Sequence, residues 1–425
     1  MTVGKIVFVN RYFFPDESAT SRMLSDLAFR LARQGLKIAI VTSRQLYNDS
    51  RAALPARELI DGVDVHRVAT ATRGRSRLMG RALDYASFHA AAGCKLFGLL
   101  ARGDVVVAKT DPPLISIVAS WAAAWRGALL VNWLQDLFPE VASVLTPGLV
   151  PDWLSRTLLA ARDSTLRQAA TNIVLGDSMR DRLLARGIDA AKIRVIPNWA
   201  DVRNTAVMPS RDSRTRQALG LADRFVVGYS GNLGRAHEFE TLLGAACRLR
   251  SQPRFAFLIT GGGAKVAALR QAVAAQGLRS FIFQDYQPPE LLADSLAASD
   301  VHLVSLIPAL EGLIVPSKIY GILAAGRPAV FIGDTHGGLA RMIDEHECGI
   351  AVGVGDAERL AVQLRALEQD KSQLERWATN ARQLAVSRFS SEHAVAEWLR
   401  LFQLVAPTMS GSASALSVPQ PRTEN

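Results

Sequence analysis

The sequence contains few cysteines, and they are far apart. Its 425 residues include three, Cys94, Cys247 and Cys348, with no Cys-x-x-Cys pair and no zinc-type spacing. An odd and scattered set excludes the disulfide-stapled class of small secreted domains and predicts a reducing, cytoplasmic compartment. We expect the three thiols to lie buried among apolar side chains, since free cysteine packs as a small hydrophobe.

The sequence also lacks an apolar run long enough to cross a membrane. Its longest nearly uncharged stretch runs from Pro112 to Trp125 and stops at Arg126, whereas a spanning helix needs about 18–20 apolar residues. The apolar run at residues 6–9 has the length of a strand, and no small-residue cleavage site follows it, which argues against a signal peptide. The pattern predicts no transmembrane helix and leaves attachment to a membrane surface open.

Several motifs that would fix a reaction class are missing. The first apolar run is not followed by Gly-x-Gly-x-x-Gly, which excludes the usual dinucleotide fingerprint there. No Asp-x-Asp pair stands where a metal–diphosphate site would need one. Neither a Ser-His-Asp order nor a paired histidine spacing supports hydrolytic or zinc chemistry.

Positive charge, in contrast, is present in surplus. Lysine and arginine number 49 against 39 acidic residues, so the formal net charge is +10. Such a balance favours an anionic partner: nucleic acid, a phosphate-bearing small molecule or a membrane surface. The sequence shows no interleaving of aromatic and basic residues and no known nucleic-acid module, which argues against nucleic acid.

Apolar runs of strand length alternate with helical segments along most of the chain. Runs at residues 5–10 and 37–43 flank a helical pattern at 21–34, and the alternation restarts after the polar interval 203–216. Continuous Val/Ile runs that alternate with helices are typical of a parallel sheet covered on both faces. We therefore expect an α/β fold with two doubly wound, Rossmann-like domains.

The restart of the pattern sets the expected domain boundaries. The first domain should comprise residues 1–202 and the second residues 203–390, with a helix at about 391–404 packing back on the first. Residues 406–425 are rich in Ser, Pro and Thr, and we expect them to be disordered. Because open parallel sheets bind ligands beyond the carboxyl ends of their strands, two facing sheets predict a site in the cleft between them.

Three loops that follow predicted strands carry residues suited to an anionic ligand. Residues 11–21 open a helix with small side chains, which offers free backbone N–H groups, although the acidic Asp16 also suits plain helix capping. Residues 228–235 combine glycines, which allow close approach of backbone to a ligand, with Arg235, which suits a phosphate. The triplet at 261–263 fits either a binding loop or an ordinary turn.

The segment from residue 311 to 328 is the most informative. Pro316 suits the start of a helix, which places Ser317 and Lys318 in the first turn. The helix dipole disfavours a cation at that end. Lys318 therefore indicates an anionic partner, such as a phosphate, rather than a solvated face.

These features resemble the GT-B glycosyltransferases of family 4. The likeness rests on the segments RYFFPDESATSRMLSDLA, AKTDPPL, NWLQDLFPE, VIPNWAD, YSGNLGR and SKIYGILAAGRPAV, which span the chain except its tail. It is closest to the bacterial branch that builds exopolysaccharide, colanic acid or O-antigen units on a lipid carrier. It implies a GT-B fold and transfer from a UDP- or GDP-linked sugar, with retention and without a metal or other cofactor.

The resemblance also implies roles for individual residues. It places Lys318 and Arg235 on the departing diphosphate, Glu311 near the donor sugar, and Asp136 where an acceptor hydroxyl is oriented or deprotonated. The other donor contacts that it implies are Ser18, Ala19, Thr20, Gly231, Asn232, Gly262, Tyr286, Pro316, Ser317 and Tyr320. The donor should lie mainly on the second domain and the acceptor, a polyprenyl-diphosphate-linked saccharide, on the first.

Four positions depart from the usual family pattern. Asn232 and His237 stand where an arginine and a lysine are common, Gln135 replaces an acceptor-side histidine, and Gly321 replaces a second glutamate. Two other functions stay open at this point. A nucleotide-sugar 2-epimerase shares the fold, and a non-catalytic scaffold of a polysaccharide assembly complex would tolerate these departures.

A basic cluster indicates where the protein could meet a membrane. Its members, Arg73, Arg75, Arg77 and Arg81, precede an apolar helical stretch at residues 83–100 that includes Tyr85, Phe88, Leu96 and Phe97. Such a combination suits an anionic membrane, and a solvated loop beside a core helix is the alternative. With a lipid-linked acceptor, we expect peripheral association with the inner face of the cytoplasmic membrane.

Overall fold

The Val- and Ile-rich runs of the first half form one sheet. In the computed structural model, which describes residues 4–72, 78–148 and 150–405, its strands are β1 (Ile6–Val9), β2 (Ile38–Ser43), β3 (Arg57–Ile60), β4 (Val63–Val68), β5 (Val105–Lys109), β6 (Leu129–Trp133), β7 (Thr171–Val174) and β8 (Ile193–Val195). Their order is β3-β4-β2-β1-β5-β6-β7-β8, and each pair is parallel except β3 with β4. The order reverses between β1 and β5, which opens a ligand crevice at their carboxyl ends.

The second half forms another sheet of the same kind. Its strands are β9 (Phe225–Ser230), β10 (Phe255–Thr260), β11 (Phe281–Gln284), β12 (Val301–Ser305), β13 (Ala329–Gly333) and β14 (Gly349–Gly353). They are all parallel, in the order β11-β10-β9-β12-β13-β14, with the reversal between β9 and β12. The prediction of two doubly wound α/β sheets is confirmed.

Helices cover both faces of each sheet. Those that precede the second sheet in the chain are α1 (Ala19–Arg33), α2 (Leu78–Leu99), α3 (Ile115–Arg126), α4 (Glu140–Leu145), α5 (Asp152–Gln168), α6 (Asp177–Ala185) and α7 (Arg214–Ala218). The others are α8 (Glu240–Arg248), α9 (Val266–Ala275), α10 (Leu292–Ala297), α11 (Lys318–Ala324), α12 (Gly338–Glu345), α13 (Ala357–Gln369), α14 (Lys371–Arg388) and α15 (Ser391–Val405). Across the described ranges, no helix has both the length and the apolar character needed to cross a bilayer.

The last helix, α15, packs on the first sheet although it follows the second in the chain. Trp398 of α15 is fully buried, and its ring lies 4.8 Å from that of Trp133 on β6. The chain therefore passes between the two halves twice. These two passages run side by side, since the Ala200 N–H donates to the Phe389 carbonyl at 2.9 Å and Ala200 forms a bridge with Ser390.

One strand, β3, does not appear in the sequence-based prediction. It pairs antiparallel with β4 through a two-residue turn, Asp61-Gly62, in which both residues have positive φ (46° and 81°). This is the geometry of a type I′ hairpin, for which Asp-Gly is a preferred pair. The expectation of parallel pairing throughout is wrong at this edge, because β3 is a short, half-exposed edge strand without an apolar run.

The three cysteines lie in different environments. Cys348 is buried, Cys247 is half-buried, and Cys94 is exposed on α2. The expectation that all three thiols are buried is wrong for Cys94, because the side of α2 that carries it faces away from the sheet. The tail predicted to be disordered, residues 406–425, lies outside the described residues.

Candidate active site

The carboxyl ends of the two sheets face a single cleft. Asp136, in the loop after β6, forms an isolated antiparallel bridge with Ile314, in the loop after β12. Next to it, the Leu137 N–H donates to the Leu313 carbonyl at 2.9 Å. Loops that follow strands of both sheets thus meet, and the side chains beside them are candidates for a shared site.

Two glycine-rich loops of the second domain pack backbone to backbone. The Gly231 N–H donates to the Thr260 carbonyl at 2.9 Å, and the Leu233 N–H donates to the Gly262 carbonyl at 2.7 Å. Gly261 has a φ of 124°, and a Cβ atom there would lie 2.3 Å from the Gly231 carbonyl oxygen. Glycine is required for this contact, which leaves main-chain groups rather than side chains at the carboxyl end of β9.

Replacing Gly261 with alanine should destabilise this pair of loops. The new methyl group meets main chain and the backbone keeps a positive φ, so we expect the full chain to lose about 1–3 kcal/mol of stability. Urea denaturation measures the loss. Gly353→Ala is the matched control, since nothing lies within 4 Å of its Cβ position. An alanine at position 261 that cost no more than the control would contradict the described packing.

Lys318 points from the start of α11 to the first glycine loop. Its Nζ lies 3.6 Å from the centroid of the Tyr229 ring and donates to the Tyr229 hydroxyl. That hydroxyl in turn donates to the Asn232 carbonyl at 2.9 Å. The side chain is half-buried, and its removal from water lowers the pKa of Lys318 to about 7. An anion beside it would favour the charged form again.

His237 and Lys265 lie close to Lys318. His237 Nδ1 is 2.5 Å from the Ser305 carbonyl oxygen, so we assign the proton to Nδ1. Burial, with Lys318 and Lys265 nearby, lowers the pKa of His237 to about 4, which leaves its imidazole neutral at pH 7. Lys265 Nζ donates to the His237 carbonyl at 2.5 Å. Sequence reasoning overlooked Lys265, although its position just after the glycine triplet at the end of β10 was the available signal.

In the first domain, the loop between β1 and α1 is held by its own neighbours. The Asp16 carboxylate accepts hydrogen bonds from the Ser18 N–H at 2.9 Å and the Ser18 hydroxyl at 2.5 Å. The Thr20 hydroxyl donates to Asp111 at 3.1 Å, and Lys109 Nζ donates to the Thr20 carbonyl at 2.8 Å. Ser18 and Thr20 therefore organise the loop in this structure, at the carboxyl end of the sheet where we predicted a donor contact.

Lys109 and Asp136 are the titratable pair nearest the acceptor-side loops. Lys109 is fully buried, with Nζ 4.0 Å from the centroid of the Trp133 ring, and burial lowers its pKa to about 7. Asp136 is open to the solvent of the cleft. Although part of the residue is exposed, protein atoms packed around its carboxyl group keep water away from it. This loss of hydration and the nearby Asp111 carboxylate raise the pKa of Asp136 to about 6, and Lys109 opposes the shift. Sequence reasoning from residues alone did not single out Lys109.

Glu311 and Tyr320 have structural partners that the prediction did not foresee. Glu311 Oε1 accepts the Gly338 N–H at 2.8 Å at the start of α12, where the Ser178 hydroxyl oxygen accepts the same N–H at 2.9 Å. Helix N-termini need such acceptors, so Glu311 caps α12 in this structure, and its contact with the donor sugar stays a prediction. Tyr320 is 4% exposed and packs edge-on against Phe389 at 5.0 Å, which corrects its placement at the donor. Both line a cavity of about 140 Å³ between the two domains, which is partly open to solvent and has polar as well as apolar walls.

The remaining predicted residues fall into three groups. Those exposed in loops after strands or at helix starts are Ala19, Asn232, Arg235 and Ser317. Two more residues lie closer to their neighbours. The Tyr286 side chain is 60% exposed, and its ring lies 3.0 Å from the Cβ position of Gly262. Pro316 is buried. The structure does not describe Arg73, Arg75, Arg77 or the side chain of Arg81. Within the described ranges, no group of three or more His, Cys, Asp or Glu side chains is arranged to hold a metal.

Family models and relatives match both halves of the chain. A glycosyl transferase 4-like domain matches residues 18–199, and a glycosyl transferases group 1 domain matches residues 212–384. The chain is 25% identical to Escherichia coli K12 WcaI, described as a colanic acid biosynthesis glycosyl transferase, over 82% of this chain and 88% of WcaI. It is 28% identical to Pseudomonas aeruginosa WbjE, described as a glycosyltransferase, over 65% of this chain and 68% of WbjE.

A solved structure shows the same fold. Anabaena HepE, crystallised in complex with UDP and glucose, superimposes with a TM-score of 0.71 at 19% identity, covering 94% of this chain and all of that one. The two family matches together take in most of the chain, and the sheets are those of a GT-B protein. The chain therefore belongs to the family-4 type of GT-B glycosyltransferases.

Proposed function

We propose that this glycosyltransferase moves a sugar from a UDP- or GDP-linked donor to a polyprenyl-diphosphate-linked saccharide in the synthesis of a bacterial cell-surface polysaccharide. We further propose that transfer retains the anomeric configuration, needs no metal ion, and takes place at the inner face of the cytoplasmic membrane. The observation that carries the proposal is the Lys318 side chain, whose Nζ lies over the Tyr229 ring and beside Gly231 of the first glycine loop.

The second domain offers what a departing nucleoside diphosphate needs. As the bond between the sugar C1 and the phosphate oxygen breaks, negative charge gathers on the diphosphate. Lys265 follows β10 and Lys318 follows β12, the two strands on either side of β9. A fixed cation in a site with little water stabilises such charge best. Two lysines can supply the charge that a metal ion supplies elsewhere, which supports metal-independent transfer.

The first domain offers what an acceptor hydroxyl needs. Asp136 lies in the first-domain loop that touches the β12–α11 segment through its bridge with Ile314. For retention, the acceptor oxygen bonds to C1 on the face from which the diphosphate leaves, and the hydroxyl proton passes to Asp136. WcaI, described as a colanic acid enzyme, and HepE, solved with UDP and glucose, support the polysaccharide product and the donor class.

The proposal is tested by transfer to bacterial lipid extract from a panel of nucleotide sugars, with and without EDTA. We expect one donor to raise the melting temperature selectively and to label a lipid product whose anomer matches the donor, with no loss in EDTA. Absence of transfer by folded protein with every donor would overturn the proposal. Conversion of a nucleotide sugar without lipid would indicate the epimerase, and failure to bind any nucleoside diphosphate would indicate the scaffold.

A further inference from the structure

Helices α2 and α3 pack side by side on one face of the first sheet, and their outer sides are apolar. The residues of α2 that the structure describes as exposed are all alanine, leucine, cysteine, phenylalanine or glycine. On α3 the exposed residues are Trp121, Ala124 and Trp125, followed by Arg126 at the end of the helix. Trp121 is 68% exposed and Trp125 is 80% exposed. A surface helix normally directs charged residues outward, so this outer side, which we call the α2–α3 face, has the composition of a contact surface.

The residues of this face differ from those that the sequence suggested for membrane contact. Phe88 and Leu96 are fully buried against the sheet, and the half-buried Tyr85 packs under the Arg11 guanidinium at 5.0 Å. That part of the prediction is wrong, because the stripe of α2 that looked amphipathic is its core side. Of the four residues that the sequence suggested, Phe97 is exposed, and the two tryptophans of α3 are exposed beside it.

The exposed aromatic rings support one another. Phe97 of α2 and Trp125 of α3 meet edge to face, with ring centroids 6.4 Å apart. Trp121 lies one turn before Trp125, on the same side of α3. Three aromatic rings therefore stand together on a rigid pair of helices, and they need little further ordering to enter a partner.

Charge around the α2–α3 face is of one sign. The sequence has no Asp or Glu from residue 85 to 103 or from 112 to 135, and the acidic Asp84 of α2 is buried. Lys95, Arg102 and Arg126 fall within or beside these stretches, and both arginines are exposed. An uncharged centre with tryptophan and a cationic margin complements an anionic bilayer, where indole rings settle at the level of the headgroups.

We propose that the α2–α3 face is the surface with which the protein lies on an anionic membrane. This inference rests on the proposed function, since a polyprenyl-diphosphate acceptor presents its sugar at the bilayer surface. With 22 residues, α2 extends about 33 Å, enough to orient the domain on the bilayer. The other helix, α3, begins a few residues after Asp111, which accepts a hydrogen bond from Thr20 in the first turn of α1. The amino end of α3 is therefore the end of the face nearest the acceptor side of the cleft.

Vesicle binding by a double variant tests the face. Trp121→Ser with Trp125→Ser should weaken sedimentation with vesicles of phosphatidylcholine and phosphatidylglycerol by about tenfold or more, since two indoles no longer enter the interface. Trp153→Ser is the matched control, because Trp153 is also 68% exposed but lies on α5, and it should bind as the parent does. For the parent, vesicles of phosphatidylcholine alone or added salt should weaken binding as well.

The native cysteines give a second readout. An environment-sensitive dye on Cys94, in a Cys247→Ser background, should shift to the blue on vesicles, whereas the same dye on Cys247 in a Cys94→Ser background should not. Equal binding by the double variant and the parent would overturn the inference. A second result would also overturn it: analytical ultracentrifugation without vesicles shows that the double substitution converts a dimer to a monomer, and vesicles do not shift the emission of the dye on Cys94. Sugar transfer is scored separately, so loss of vesicle binding by the double variant supports the face even if no donor is found.

Discussion

Replacing Lys318 with alanine is expected to lower sugar transfer by about 10²–10³-fold, the usual effect of removing one fixed electrostatic donor. The side chain that is lost is the one held over Tyr229 at the glycine loop, where we propose that charge gathers on the leaving diphosphate. Single-turnover rates with the donor found in the thermal screen measure the effect. Lys371→Ala, at the exposed start of α14, is the control and should transfer normally.

The low pKa of Lys318 also predicts a pH dependence of donor binding in the parent, which the alanine variant should lack. Burial lowers that pKa to about 7 in the free protein, and a bound diphosphate raises it by stabilising the ammonium. Donor binding should therefore take up a proton and weaken as the pH rises above about 7, which calorimetry in buffers of different ionisation enthalpy detects. His237 stays neutral in this range. Two results would remove Lys318 from the mechanism. One is near-normal turnover of the alanine variant, and the other is a variant that takes up as many protons on donor binding as the parent does.

Replacing Asp136 with asparagine should lower transfer by a similar factor, about 10²–10³-fold, because the acceptor hydroxyl loses its proton acceptor. Donor binding should change little, since we expect the donor to lie mainly on the second domain. Asp136 acts as a base only when ionised, and its pKa is raised to about 6. The parent should therefore lose activity as the pH falls through about 6, and the residual activity of the variant should lack this acid limb.

Asp181→Asn is the matched control for this substitution, because Asp181 is an exposed carboxylate on α6. It should keep both the rate and the acid limb. Lys109 and Asp111 face Asp136 and contribute to its pKa, so Lys109→Met should move the acid limb to higher pH by removing the one cation among them. An acid limb that persists in Asp136→Asn would assign the titration to another group.

The architecture was readable from the sequence because its signal is local and repeated. In the run at residues 105–109, for example, all residues before Lys109 are apolar, as a buried strand requires. The alternation of such runs with helices is compatible with few sheet topologies. Edge strand β3 escaped because its residues alternate between exposed and half-exposed. The Asp61-Gly62 pair is a sequence signal for a hairpin, but it marks a turn and not an apolar run.

The site was only partly readable, for a physical reason. The unfavourable place of Lys318 at a helix start is a local property, and the sequence exposes it. The capping of Gly338 by Glu311 and the burial of Tyr320 against Phe389 join residues far apart in the chain. Lys109 likewise becomes notable only once Trp133 and Thr20 enclose it. Such roles depend on which loops the fold brings together, and local spacing carries no record of that.

The paired crossings at Ala200 and Ser390 make the second domain an insert whose two junctions lie together. A segment with adjacent ends can be exchanged as a cassette, because the host chain needs to close only a short gap. Two crossovers in the gene, one at each junction, would replace the second domain while leaving α15 and the whole first sheet intact. The half that we propose binds the donor can thus be exchanged without rebuilding the half that we propose meets the acceptor.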